Sequence, residues 1–293
     1  MIAASFKFPA GRYHANPWGR HVNEGEPEWP PSPWRLLRAL VSTWMRTMPE
    51  VDEQSIRRIL QQLLETPVFH LPPATVAHTR HYMPWDKDWM KKRHASKTMV
   101  FDTFVVVQKD DPLIAYWPSA ELSGEDRMLL SSLLRNLPYL GRSESWCIAA
   151  LEAVPEDARL QDGRVVRADG TTVLADVRPL GGESARKAEE QAVQVLVADM
   201  DLDPSTPLGE DHPLFVRTSV LRKKQRLMDP PGSRRVSYAR PEDCLEPGTR
   251  IVGIERAIPE VTTVRYILDS SVLPSTLETI NIADVARAAA MAV

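Results

Sequence analysis

Residues 2–38, IAASFKFPAGRYHANPWGRHVNEGEPEWPPSPWRLLR, pass from a strand pattern through a basic, aromatic loop into a helix, and this passage decides how the fold begins. Ile2, Ala4, Phe6 and Phe8 alternate with Ala3, Ser5 and Lys7, the period-two signature of a half-buried strand. Pro30, Pro31 and Pro33 each lock their own φ and bias the preceding residue away from helix, which fixes an extended approach. Ser32 is then the expected N-cap, with Pro33 at the first helical position, where a missing N–H costs nothing. Leu36, Leu37, Leu40, Val41 and Trp44 recur on one helical face. Arg35 and Arg38 lie near the helix start, where the dipole disfavours cations, so their placement points to an anionic ligand.

Working outward, the chain has 293 residues, enough for two domains and a sizeable core. Asp52 is placed to cap a second helix with Ile56, Ile59, Leu60, Leu63 and Leu64 inward and Arg57 and Arg58 outward. The prolines of VFHLPPATVAHTRHYMP, residues 68–84, allow an edge strand or clamp-like loop but not a central strand. FDTFVVV, residues 101–107, reads as a strand with LIAYW, residues 113–117, as its hairpin partner. Ser123 caps a helix whose apolar side is read as Met128, Leu129, Leu133 and Leu134. The order predicts an α+β fold with helices on one face of an antiparallel sheet, compatible with a ferredoxin-like, RNA-recognition-like arrangement. Expected divisions are 1–153 as that domain, 154–194 as a mobile insertion or hairpin, 195–275 as a second β-rich basic part, and 276–293 as a junction helix that stops uncapped.

The net charge of -3 argues against a uniformly basic surface, but the cations are gathered in blocks. Lys87, Lys91, Lys92, Arg93, His94 and Lys97 interleave with Trp85 and Trp89, a composition suited to phosphates and stacked bases. In RTSVLRKKQRLMDPPGSRRVSYAR, residues 217–240, eight cations face only Asp229, as in a loop laid along a phosphate backbone. Cys147 and Cys244 form no pair-spaced motif, no HExxH is present, and no metal or cofactor is expected. With neither a membrane-length apolar run nor a signal-peptide pattern, the expectation is a cytoplasmic protein with no membrane contact.

GRYHANPWGRHVNEG, WPPSPWRLLRAL, HTRHYMPW, DTFVVV, YLGRSES and LMDPPGSRRVSYARP occur in one order along the chain. Together they resemble the Cas-five half of the fused Cas-five/Cas-six subunit of type I-G (formerly I-U) CRISPR effector complexes, within the RAMP superfamily. The resemblance covers essentially the whole chain; no HRH-type motif of a Cas-six half follows. It implies a subunit that holds the 5′ repeat-derived handle of CRISPR RNA and caps a backbone of Cas-seven-like subunits beside a large Cas-eight-like subunit, with target DNA as a further contact. The opening loop would supply Arg12, His14, Trp18, Arg20, His21, Trp34, Arg35 and Arg38 to the RNA. Further candidates are Arg80, His81, Tyr82, Lys91, Lys92, Arg93, Arg142, Arg222, Lys223, Lys224, Arg234, Arg235 and Tyr238.

Holding a handle needs stacking, hydrogen bonds and cations but no chemical step. Metal-independent cleavage of precursor RNA is the alternative, either in this segment, with His78, His81 and Tyr82, beside Lys91, as candidate acid–base groups, or, as the resemblance implies, in the full-length fusion through its Cas-six half, this segment then being non-catalytic. A scaffold that contacts protein subunits but no RNA is a third reading. Carboxylates repel phosphate, so Glu24 to Glu28 are expected to face solvent or a basic partner.

Overall fold

A computed structural model describes residues 1–84, 97–154, 193–200 and 229–240, with shorter pieces at 159–161, 164–166, 178–179, 202, 207–209, 212–218, 220–221, 244–245, 282–283 and 285. The chain divides into two compact units, Met1–Gly248 and Thr249–Val293. The first is a mixed α+β unit whose elements run Ile2–Lys7 (β1), Arg12–Tyr13 (β2), Pro33–Thr47 (α1), Glu53–Leu63 (α2), Val68–His70 (β3), Ala74–Pro84 (β4) and Lys97–Val107 (β5). Leu113–Trp117 (β6), Gly124–Arg135 (α3), Ile148–Glu152 (β7), Arg159–Gln161 (β8), Arg164–Val166 (β9), Arg178–Pro179 (β10), Val193–Ala198 (β11) and Ser233–Ala239 (β12) follow.

The helix starts follow local chemistry. Ser32 Oγ accepts from the Arg35 N–H at 3.3 Å, Asp52 Oδ1 from Ser55 at 2.9 Å, and Ser123 Oγ from Asp126 at 3.0 Å. Helix α1 buries Leu36, Leu37, Leu40, Val41 and Trp44. Helix α2 buries Ile56, Ile59, Leu60 and Leu63, but Arg57, expected outside, is also buried and bonds Glu53 one turn back. In α3 the inward residues are Leu130, Leu133 and Leu134, while Met128 is 68% exposed. The register is one in which Asp126 faces Arg58 of α2 at 3.0 Å.

Four strands form an antiparallel sheet in the order β3-β6-β1-β7. Two pairs of strands joined through helices, β1 with β3 and β6 with β7, each run parallel with one strand between them. Ile2, Ala4 and Phe6 join Leu36, Leu40, Leu63, Leu130 and Trp117 in the main core. Ala3 lies on the opposite face in a second cluster with Val68, Ile114 and Tyr116, so β1 is buried on both faces, not half-buried. The 101–107 strand is not the hairpin partner of 113–117. β5 belongs to a separate sheet, ordered β2-β5-β4, whereas β6 pairs with β1 and β3. All five β6 residues are buried, and a fully apolar strand is stabilised most in the sheet centre.

β4 lies at the edge of its sheet, entered after Pro72 and Pro73 and carrying one proline, Pro84, at its end; it pairs with β5 along its whole length, Ala74 opposite Val107 out to Pro84 opposite Lys97. On the other side of β5, beyond the two residues of β2, the loop holding the short 3-10 turn Val22–Glu24 takes over: Asn23 Oδ1 accepts the Phe101 N–H at 2.9 Å. A third sheet, β10-β12-β11, belongs to the same unit and packs through β11 on α1.

Candidate nucleic-acid interface

The opening loop is organised around a buried carboxylate. Glu28 is 7% exposed; its Oε1 accepts from Tyr13 Oη at 3.0 Å, Ser32 N at 2.9 Å and Arg35 Nε at 2.7 Å, and its Oε2 from Arg35 Nη2 at 3.0 Å. Glu28 therefore does not face solvent, and the anion that Arg35 seeks is supplied within the loop itself. Burial works against the Arg35 charge, but Glu28 overrides it and holds the guanidinium above its usual pKa. Burial, reinforced by Glu28, raises the Tyr13 phenol well above its ordinary value. Arg20 is likewise engaged, with Glu24 at 3.2 Å and Glu26 at 2.8 Å.

Arg38 stacks 4.6 Å from the Trp34 ring and donates to the carbonyls of Pro213 at 2.8 Å and Val216 at 2.6 Å. Burial, then the nearby Arg35, pushes its pKa down to about 10. Trp34 is buried, and Trp18 packs edge-on against it at 5.7 Å. His21 is exposed, and its Nδ1 accepts the Asn23 N–H at 3.2 Å. Most of the expected RNA ligands between 18 and 38 thus serve to build the loop.

The exposed groups gather instead on the β4–β5 hairpin. Side chains alternate across a strand, and the register places His78, Arg80 and Tyr82 of β4 beside Thr103, Phe101 and Met99 of β5 on one face. The His78 ring lies 4.8 Å from the Phe101 ring, and the Arg80 guanidinium lies 5.5 Å from the same ring. Tyr82 is 69% and Met99 49% exposed. The opposite face carries His81, Asp102, Phe104 and Arg12, whose guanidinium sits 5.8 Å from the Phe104 ring. His81 is therefore separated by the sheet from His78 and Tyr82, and the proposed acid–base trio is not brought together.

Behind the Asp102 face, the turn at 139–146 closes on residues 13–16. Gly141 permits it: at φ +94, a Cβ there would lie 2.5 Å from the His14 carbonyl oxygen. The Arg142 N–H donates to that oxygen at 2.8 Å, while its guanidinium donates to Asp102 Oδ1 at 3.0 Å and Asn16 Oδ1 at 3.2 Å. His14 is buried, with Nδ1 2.6 Å from Glu144 Oε1. Its Nε2 lies 3.7 Å from Asp102 Oδ1, too far for a hydrogen bond, and has no partner among the described residues. Burial, then Arg142, lowers the His14 pKa; Glu144 and Asp102 oppose this without prevailing. His81 Nε2 approaches the other oxygen of Asp102 at 3.8 Å.

Of the later basic block, Arg234 and Arg235 lie on β12. Arg234 is exposed, 3.7 Å from Asp199; Arg235 bonds Asp229 at 2.6 Å and the Trp18 carbonyl at 3.3 Å. Tyr238 is fully buried and donates to the Pro67 carbonyl at 2.8 Å, which removes it as a stacking surface. Lys91, Lys92, Arg93, Arg222, Lys223 and Lys224 lie outside the described residues. Sequence reasoning did not single out Asp102, Phe101, Phe104, Met99 or Glu144, although DTFVVV and YLGRSES contain three of them. An acid, Asp102, set between two phenylalanines in a strand that follows the histidine-rich 74–84 stretch was the available signal.

No helix among the described residues is long and apolar enough to cross a membrane. The chain matches no protein-family model and no curated protein sequence.

Proposed function

We propose that this chain binds single-stranded RNA and acts as the subunit of a type I-G CRISPR effector complex that holds the 5′ handle of CRISPR RNA and caps a backbone of Cas-seven-like subunits. The observation that carries the RNA reading is the exposed face of the β4–β5 hairpin, where Arg80 and Tyr82 stand two residues apart beside the His78–Phe101 pair. Alternate residues on a strand are about 6.8 Å apart, so each can serve a different nucleotide. Rings supply sequence-tolerant stacking, and Arg80, which has no carboxylate partner among the described residues, supplies charge. The assignment to this complex rests on the resemblance of the ordered motifs quoted above to the Cas-five half. A ferredoxin-like fold is the companion proposal, supported by the two helix-linked parallel strand pairs, each split by one strand of the four-stranded sheet.

The test is fluorescence anisotropy of a labelled single-stranded repeat RNA. Both side chains are exposed, so Arg80→Ala with Tyr82→Ala leaves the fold intact. Loss of one stacked base, at about 1–3 kcal/mol, together with a phosphate contact predicts at least about a tenfold weaker Kd. A change below about twofold would overturn the reading.

A further inference from the structure

We infer that the cluster around Asp102, on the opposite face of the β4–β5 hairpin from Arg80 and Tyr82, is a proton-linked site for one backbone phosphate of the bound strand where that strand crosses the β4 edge, an inference that rests on the RNA-binding reading. Arg12 and His14 both lie against the Phe104 ring, His14 also faces Asp102, and Asn16 is tied to Asp102 through Arg142, so the three side chains converge on one cluster. Arg12 Nε, His14 Nε2 and Asn16 Nδ2 are all buried without a hydrogen-bond partner among the described residues. Three such atoms on alternate residues of one segment are costly unless something completes them. The Arg142 guanidinium joins them by its bond to Asn16 Oδ1, and its side chain is 40% exposed, which gives the cluster an open side.

Charge decides what this site can accept. His14 meets Glu144 and Arg142 from the 139–146 turn, Asp102 from β5 and, on its own segment, Arg12 across the Phe104 ring. His81 of β4 reaches it only through Asp102. With His14 neutral, Arg142 stands against Asp102 and Glu144, Arg12 lies beyond at the Phe104 ring, and the charges of the cluster cancel, so there is no net attraction for a phosphodiester. Nδ1 is committed to Glu144, so an added proton enters at Nε2, the orphaned atom that faces Asp102. Imidazolium then takes up Asp102 from the His14 side, and Arg142 is left to face the phosphate across a cluster with one net positive charge.

Burial and Arg142 keep the proton off His14 in the free protein, and the phosphate charge favours it in the complex. Binding near neutral pH therefore takes up a proton, and affinity falls by up to about tenfold per pH unit between the two pKa values. A cluster that merely fastens the turn to the sheet would take up none.

The test is calorimetry of the intact chain with a single-stranded RNA oligonucleotide at pH 7, in two phosphate-free buffers of different ionisation enthalpy. The expected result is measurable proton uptake that disappears in His14→Gln, whose affinity becomes flat between pH 6 and 8. Binding without uptake, or uptake that persists in His14→Gln, overturns this site and leaves the RNA-binding reading standing; no binding at either pH extreme overturns both. Should His14→Gln fail to fold, the imidazole resonances of the wild-type protein decide the matter. RNA should raise the His14 titration midpoint, and a midpoint that RNA leaves in place refutes the inference.

Discussion

Replacing Glu28 with Gln would remove one charge from the centre of the opening loop while keeping the side-chain shape. Glu28 accepts four hydrogen bonds, two of them from Arg35. A glutamine can keep Oε1 and its three donors, but its NH2 group then points at Arg35 Nη2, donor against donor. Breaking a buried ion pair from one side costs about 3–5 kcal/mol, because the remaining charge stays desolvated. The Arg35 side chain is 28% exposed and gains some relief from water, so the lower end, about 3 kcal/mol, is expected. For a unit of this size that corresponds to a fall in Tm of about 6–12 °C, followed by circular dichroism. Adding Arg35→Met removes the stranded charge and should restore part of the loss, which a double-mutant cycle measures. RNA affinity should not rise in Glu28→Gln. A cost under about 1 kcal/mol, or tighter RNA binding by a liberated Arg35, would refute the account of Glu28 as the internal anion.

Acid should weaken the fold in two stages. His14 and His212 have folded pKa values below the ordinary 6.5, so the unfolded chain binds protons first and stability is lost as pH falls below about 6.5. Asp126, held low by hydrogen bonds from Arg58, and Glu144, where burial pushes up but the hydrogen bonds from its own N–H and from His14 prevail and hold it low, add a second loss as pH falls through the carboxylate range. Urea midpoints measured from pH 8 to 3 would show both, and a midpoint unchanged between pH 7 and 5.5 would contradict the first. In α3, Leu130→Ala should cost about 2–5 kcal/mol while Met128→Ala stays within about 0.5 kcal/mol, read from the same denaturation curves. The reverse order would mean that the helix is rotated from the register described.

Local chemistry was legible and long-range pairing was not. Ser32, Asp52 and Ser123 cap their helices because a cap involves residues only three apart. The partner of β5 is set by competition between sheets. Leu113–Trp117 is close in sequence and β-prone, yet burial of all five residues favours a central place between β1 and β3. Charges misled most, since Glu28 reads as a solvent-facing carboxylate and Arg35 as a seeker of an external anion until the loop folds them together onto Tyr13. The His14 cluster was half visible, as His14 and Arg142 were candidates by type. Asp102 and Glu144 gain meaning only when the 139–146 turn closes over residues 13–16.

The hydrogen bond from Phe101 to Asn23 has a consequence for how the protein keeps to itself. A strand with free N–H groups on a flat edge invites another chain to add on, and β5 would have such an edge wherever the two-residue β2 runs out. A side-chain amide from the 3-10 turn takes up the Phe101 N–H, so the same loop that supplies Arg12 and His14 also closes β5 to strand addition at that point. The hairpin can then present its faces to a ligand with that edge guarded against growth into an aggregate.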